Sequence, residues 1–157
     1  MKALFKKILC PVDFDDNSIA ALRYARDFAV KNDATLHVLH VVYAPLASPR
    51  FPLERYKGIS EGPAKLELHK IAREHLQGRA RYELATRTGK PADVINQAAE
   101  DLDVDLIVMA MHGKTGVTRL LLGSVAEHVV RASKRPVLTI RPHDIEPIFQ
   151  SLAATHR

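Results

Sequence analysis

The sequence predicts an α/β fold with an open, mostly parallel, five-stranded twisted sheet and helices on both faces. Short β-branched apolar runs without polar alternation are typical of strands that are buried on both faces. These runs alternate along the chain with longer segments whose apolar residues recur at helical spacing. Glycine, proline and aspartate cluster at the junctions, where turns and helix starts are expected.

The five predicted strands are residues 8–12, 35–42, 82–87, 105–110 and 136–141. Pro11 cannot donate to a strand ladder, so the first strand should end there. The third strand alternates weakly and is expected near a sheet edge. His37 and His40 are three apart on one strand and would point to opposite faces, so we expect structural roles rather than a shared metal ion.

Helices are predicted after the acidic segment 13–18, over residues 64–76, from Pro91 and from Ser124. The expected inner faces are Ile19, Leu22, Ala25, Ala29 and Val30 in the first helix and Val125, Ala126, Val129 and Val130 in the last. Residues 44–63 hold four prolines and two glycines and are expected to be irregular. The residues there that would suit a lid over a phosphate ligand are Arg50, Phe51, Arg55, Tyr56 and Lys57.

Composition narrows the class of protein. The single cysteine, Cys10, lies in an apolar strand, which favours an inert core thiol in a reducing compartment. No signal peptide or membrane-spanning run is predicted, so we expect a cytoplasmic protein without a membrane partner. The formal charge is +5, but the 23 Lys and Arg residues are spread along the chain without an aromatic-interleaved basic motif. Nucleic-acid binding is therefore not expected.

The stretch from Met109 to Ser124 predicts an anion site. It joins an apolar strand to a helix start through a loop with Gly113, and the first amides of the helix would carry the positive end of its dipole. Ser124 and Glu127 also fit a capping box, which would need no ligand. The loop is not a phosphate-binding P-loop, because Val108 stands where that motif needs glycine, and no dinucleotide fingerprint is present.

Asp13 follows the first predicted strand directly. It could simply cap the next helix. However, open α/β sheets bind ligands outside the carboxyl ends of their strands, at the point where the strand order reverses. If the first and fourth strands are neighbours, Asp13 and Gly113 face one crevice.

Several motifs agree in order and spacing with one known family. They are Pro11-Val12-Asp13, the Asp-Leu-Ile-Val-Met run at 105–109, His112-Gly113 followed after nine residues by Gly123-Ser124, and Arg-Pro-Val-Leu at 135–138. Over about residues 5–141 the chain resembles the universal stress protein family, in its ATP-binding branch. Ala110 stands where the first glycine of that branch's motif is usual.

The resemblance implies a Rossmann-like fold similar to the adenine nucleotide alpha hydrolases, a domain at 1–141 and a tail at 142–157. It implies ATP or another adenine nucleotide as ligand, with any Mg²⁺ held chiefly by phosphate oxygens and water. The implied binding residues are Pro11, Val12, Asp13, Val41, Met109, Ala110, His112, Gly113, Gly123, Ser124 and Val125. It also implies a homodimer through the edge strand 136–141; other protein partners are not indicated.

Two alternatives stay open at this point. Ala110 favours a nucleotide-free dimeric interaction protein on the same fold. An enzyme would need an in-line nucleophile or base, and only His112 and Ser124 lie near the loop, so slow ATP hydrolysis is conceivable but a dedicated catalyst is not expected.

Overall fold

Five strands alternate with four helices in the part of the chain that the computed structural model describes, which is residues 4–44, 53–112 and 122–141, with the backbone alone for residues 53–60. The strands are β1 (Lys7–Pro11), β2 (Thr35–Tyr43), β3 (Arg81–Gly89), β4 (Leu106–Ala110) and β5 (Val137–Ile140). The helices are α1 (Asp16–Lys31), α2 (Leu53–His75), α3 (Pro91–Asp101) and α4 (Ser124–Ala132). The α/β class is thus confirmed.

The strands form one sheet in the order β3-β2-β1-β4-β5, and every neighbouring pair is parallel. β1 and β4 are neighbours, with Leu9 opposite Ile107. The chain moves from β1 through β2 to β3 on one side, and then returns to place β4 on the other side of β1. The strand order therefore reverses between β1 and β4. The predicted edge position of β3 is confirmed.

The core is divided between the two faces of the sheet. In β4, Leu106, Val108 and Ala110 belong to a buried cluster with side chains of α1 and α2. Ile107 and Met109 belong to the cluster that includes side chains of α3 and α4. This alternation on a continuously apolar strand is what a two-sided parallel sheet requires.

Cys10 lies in the first of these clusters and is 0% exposed. Burial raises the pKa of its thiol to about 12, because the apolar surroundings disfavour the thiolate. The expectation of an inert core thiol is confirmed.

Two residues predicted to face inward lie at the surface. Val30 is 52% exposed near the end of α1, and Val130 is 43% exposed on α4. Their neighbours Ala29 and Val129 are buried instead. Each misplaced valine directly follows a buried residue in a helix, where the next position lies about 100° further around the axis.

The prediction of an irregular segment over residues 44–63 is wrong for its second half, because α2 already begins at Leu53 and has Pro63 in its interior. Within this segment Glu61 is bound to the sheet, because the Thr88 hydroxyl of β3 donates a 2.7 Å hydrogen bond to its carboxylate. The positions considered for a lid lie either in the first turns of α2, where only the backbone is described, or outside the described residues, as do Arg50 and Phe51.

No helix in the described ranges is long and apolar enough to cross a membrane. The tail, residues 142–157, lies outside the described residues.

Candidate functional site

The carboxyl ends of β1 and β4 lie side by side where the strand order reverses. Val12 and Asp13 continue from β1, and Met111 and His112 continue from β4. In an open parallel sheet this is the usual place for a ligand, because the loops diverge there and leave a crevice. The structure thus brings together the two segments that the sequence analysis singled out.

The N-terminus of α4 is tied directly to the end of β4. The amide of Gly123 donates a 2.8 Å hydrogen bond to the carbonyl of Met111, and the Gly123 carbonyl accepts from the Glu127 amide at 2.8 Å. Gly123 is the N-cap, with φ −59° and ψ 155°, and has no side chain to cap the helix. The first amides of α4 thus start at the end of β4 without a side-chain cap, and uncapped amides at a helix N-terminus favour anions.

The capping-box alternative is wrong. Ser124 is the first residue of α4 and not its N-cap, and no described side chain makes a capping hydrogen bond there. The Glu127 carboxylate pairs with Arg131, one turn further along the helix. Ser124 is exposed at the helix start.

The loop between β1 and α1 is held by a compact set of hydrogen bonds. Asp15 is the N-cap of α1, and its carboxylate accepts from the Ser18 amide at 2.7 Å. The Ser18 hydroxyl accepts from the Asp13 amide at 3.2 Å and donates to the Asp15 carbonyl at 3.1 Å. Asp13 does not cap the helix; its carboxylate accepts from the Asp15 amide at 3.2 Å, so the alternative role for Asp13 is also wrong.

The pKa of the Asp15 carboxyl is raised in this loop. Burial is the largest cause that raises its pKa, and the hydrogen bond with the Asp13 side chain raises it further. Asp13 itself is half-buried between β1 and α1. The hydrogen bond from the Asp15 amide thus holds the Asp13 carboxylate in a defined position at the end of β1.

The other predicted residues that the structure describes lie around the same ends. Pro11, Val12 and Met109 are buried at the strand ends. Val41 is half-buried on β2, two residues beyond Leu39, which is the register partner of Pro11. Val125 is half-buried in the first turn of α4, and Gly113 lies outside the described residues.

His112 follows β4 and carries two buried ring nitrogens, neither with a hydrogen-bond partner among the described residues. A buried polar group without a partner costs about 1–3 kcal/mol, so a hydrogen-bond partner for the ring is expected from outside the described residues.

Ala110 is the last residue of β4 and is 9% exposed. Its methyl group belongs to the buried cluster that contains Cys10 and Val12, on the face of the sheet covered by α1. This methyl therefore fills part of the core.

Two residues next to the Asp13 segment were missed, Phe14 in the β1–α1 loop and His40 on β2. The rings of Phe14 and His40 are stacked, with centroids 4.1 Å apart and an interplanar angle of 20°. From the sequence, His40 was expected to have only a structural role, and Phe14 was not singled out. The signal that sets Phe14 apart is its φ of 69°, which is visible only in the structure.

A model of the universal stress protein family matches residues 4–141. The chain belongs to this family. Two universal stress proteins of Methanocaldococcus jannaschii are 35% identical to it over 143 residues and 30% identical over 159 residues. The first alignment covers 88% of this chain and 83% of the relative, and the second covers 90% and 98%.

Solved structures of universal stress proteins share the fold. That of the second Methanocaldococcus jannaschii protein matches with a TM-score of 0.75 at 32% identity, over 87% of this chain and 96% of the other. A universal stress protein in complex with cAMP matches with a TM-score of 0.69 at 23% identity, over 88% and 98% of the two chains. One from Archaeoglobus fulgidus in complex with dAMP matches with a TM-score of 0.61 at 21% identity, over 88% and 99%. The last two likenesses show the fold alone.

Proposed function

We propose that this universal stress protein binds an adenine nucleotide, ATP above all, at the carboxyl ends of β1 and β4. In this proposal it is a regulatory or stress-response module, not a dedicated enzyme. The observation that carries the proposal is that Asp13 follows β1 while the N-terminus of α4 is bound to the end of β4, and the strand order reverses between these two strands. A carboxylate suits the hydroxyls of a ribose, and helix amides suit phosphates.

The adenosine half of the ligand would lie over β1 and β2. Asp13 would accept hydrogen bonds from the adenosine, and the backbone of Val41 would contact the adenine edge. Pro11 and Met109 would line the pocket. These roles are supported by the neighbouring positions of β1, β2 and β4 in the sheet.

The phosphate half would lie at the start of α4. The amides of Gly113, Gly123, Ser124 and Val125 would hold the phosphates, and the Ser124 hydroxyl would be a further donor. The buried ring nitrogens of His112 are an additional pair of polar atoms at this end. Any Mg²⁺ would be bound chiefly through phosphate oxygens and water.

Structures of related proteins support this ligand class. Two universal stress proteins of the same fold were solved with cAMP and with dAMP, which share adenine and a phosphate group. In this proposal the backbone of Val41 contacts the adenine edge, and guanine presents a different set of donors and acceptors there, so GTP is expected to bind less tightly than ATP.

A thermal-shift panel with ATP, ADP, AMP, GTP and cAMP, each with and without Mg²⁺, tests the proposal. At about a hundred times its Kd a ligand adds about 2.7 kcal/mol to the free energy of unfolding, which raises the midpoint by several degrees. Gly113→Val and Asp13→Asn should remove this shift. Asn at position 13 keeps the acceptor for the Asp15 amide, so the loop should stay folded.

Asp16→Asn is the matched control, because Asp16 is exposed in the first turn of α1. It should respond to ATP as the wild type does. A folded wild type whose midpoint no nucleotide moves, and which carries none after purification, would contradict the proposal.

That result would favour the second candidate, a nucleotide-free dimeric interaction protein. Ala110 is the observation in its favour, since its methyl group replaces the hydrogen of a glycine at the end of β4. However, this methyl packs in the core, which supports the view that Ala110 does not block the nucleotide. Ala110→Gly should then change ATP affinity little, whereas a gain of ATP binding on this substitution would show that the methyl blocks the site.

We also propose that the chain forms a homodimer through β5. Among the described strands β5 has a neighbour on one side only, and its residues Val137, Leu138 and Ile140 are apolar. An unpaired apolar edge favours pairing with another strand, and a second copy related by a twofold axis would provide one.

The hydrogen bonds to β4 identify which amides of β5 face outward. The amide of Ile107 donates to the Pro136 carbonyl at 2.9 Å. The amide of Met111 donates to the Ile140 carbonyl at 2.8 Å. Because the backbone groups of successive residues alternate in direction along a strand, Thr139 directs its amide away from β4.

Thr139→Pro should therefore convert a dimer to a folded monomer in sedimentation equilibrium, since proline removes only an outward amide. Leu138→Pro is the control, because it removes an amide that faces β4 and should destabilise the fold itself. A Thr139→Pro variant that remains dimeric would show that β5 is not the interface.

A further inference from the structure

We propose that His40 is a positioning residue for the nucleotide site, which holds the β1–α1 loop in the shape that presents Asp13 to the adenosine. This inference rests on the proposed function. The imidazole of His40 contacts the residues on both sides of Asp13, Val12 and Phe14. It reaches them from β2, the strand beside β1.

The first contact fixes the chain before Asp13. The Nδ1 atom of His40 lies 2.8 Å from the carbonyl oxygen of Val12. A carbonyl oxygen only accepts, so Nδ1 carries the proton and donates. The Val12 amide donates to the Leu39 carbonyl at 2.8 Å, so both backbone groups of Val12 are bound to β2.

The second contact fixes the chain after Asp13. The Phe14 ring stacks on the His40 ring, while the Phe14 backbone has a φ of 69°. A residue with a β-carbon is strained in this left-handed region and stays there only where its surroundings hold it. The ring stack is such a restraint.

Between these two anchors the direction of Asp13 is set. Its amide donates to the Ser18 hydroxyl and its carboxylate accepts from the Asp15 amide. Those bonds bind Asp13 to the start of α1, and His40 binds the flanking residues to β2. Loss of the His40 ring would leave the loop bound to β2 through the Val12 amide alone, so that the Val12 carbonyl and the Phe14 ring lose their restraint and the Asp13 carboxylate is less firmly positioned.

Two substitutions separate the two contacts. His40→Asn retains an N–H donor near the position of Nδ1 and removes the ring, whereas His40→Phe retains the ring and removes the donor. His37→Asn is the control, because His37 lies on the same strand three residues earlier and is directed toward Glu83.

Binding of adenosine, ATP and tripolyphosphate is measured by calorimetry for each variant. His40→Phe should lower the affinity for adenosine and for ATP by about tenfold, which corresponds to one lost hydrogen bond. The affinity for tripolyphosphate should not change. His40→Asn should restore part of the loss. A loss that is equal for all three ligands would indicate general damage to the fold and would overturn the proposal.

A double-mutant cycle with Asp13→Asn decides whether His40 acts through Asp13. The two effects on adenosine binding should then be less than additive, because a displaced Asp13 and an absent carboxylate remove the same interaction. Additive effects would refute positioning while the nucleotide site stands. A wild type that binds neither ATP nor adenosine would instead refute the proposed function, and this inference with it.

Discussion

The amide of Gly123 and the carbonyl of Met111 form a 2.8 Å hydrogen bond that joins the start of α4 to the end of β4. This bond holds the helix N-terminus at the end of β4, the strand that neighbours β1. The phosphate half of the proposed site therefore depends on backbone groups, and the adenosine half depends on the side chain of Asp13.

The left-handed backbone of Phe14 gives a prediction for stability. Phe14→Gly and Phe14→Ala both remove the ring stack on His40, but only alanine keeps the cost of a β-carbon at φ 69°. The glycine variant should be the more stable of the two by about 1 kcal/mol in urea unfolding.

The control lies in α1, where alanine should be more stable than glycine. Ala20 is in the helix interior, and Ala20→Gly should cost about 1 kcal/mol relative to the wild type. Equal stability of the two Phe14 variants would mean that the loop leaves the left-handed region once the ring is removed.

The sequence was sufficient for features that repeat along an element. The apolar runs around Ile8 and Ile107 predicted buried strands, because a strand covered on both faces must be apolar at every position. The helix through Pro63 was not predicted, because proline and two glycines disfavour a helix locally, and contacts with distant residues, such as that of Glu61 with Thr88, are not visible in the local sequence. Likewise nothing local indicates that Phe14 is left-handed.

The same distinction applies to the site. The order of elements predicted that Asp13 lies at the end of β1, but it did not predict the hydrogen-bond partners of Asp13. Whether Asp13 or Asp15 is the N-cap of α1 depends on where the helix begins, which differs by only two residues between the two cases. Element boundaries of this kind are decided by the loop hydrogen bonds, which no periodicity reports.

The thiol of Cys10 should be unreactive in the folded protein. It is 0% exposed and its pKa is raised to about 12, so neither the thiolate nor an access route is present. Ellman's reagent should label no thiol in native buffer and one per chain in urea. Rapid native labelling would show that β1 opens readily, and a Cys10→Ala variant measures the background.

Stability should fall in mild acid because of His37. Burial is the main cause that lowers its pKa, Lys7 also lowers it, and Glu83 partly opposes them. The folded pKa is then below the unfolded value of about 6.5, so the unfolded chain takes up the proton first as the pH falls. The contribution to stability is complete above the unfolded pKa and decreases as the pH drops below it.

Urea unfolding at about pH 7.5 and about pH 5.5 measures this loss. His37→Gln should reduce the difference between the two pH values, whereas His69→Gln, at an exposed position on α2, should not. Part of the difference should persist in His37→Gln, because burial also lowers the pKa of His75. A pH dependence that is identical in both variants would exclude His37 as a source.

Gly89, the last residue of β3, should tolerate no side chain. Its φ is 154°, and a β-carbon there would lie 2.8 Å from the Cγ2 atom of Val94 on α3. Valine is stiff at χ1 and cannot readily move aside. Gly89→Ala should therefore cost about 1–3 kcal/mol, measured by urea unfolding.

Gly62 provides the opposite case within the same fold. It lies inside α2, and a β-carbon there would meet nothing within 4 Å. Gly62→Ala should stabilise the protein by about 0.5–1 kcal/mol through helix propensity.

Val94→Ala is the control for the steric clash at position 89. Added to Gly89→Ala, it should relieve the steric part of the cost and leave the backbone part. If Val94→Ala gave no relief, the whole cost would lie in the backbone conformation at position 89.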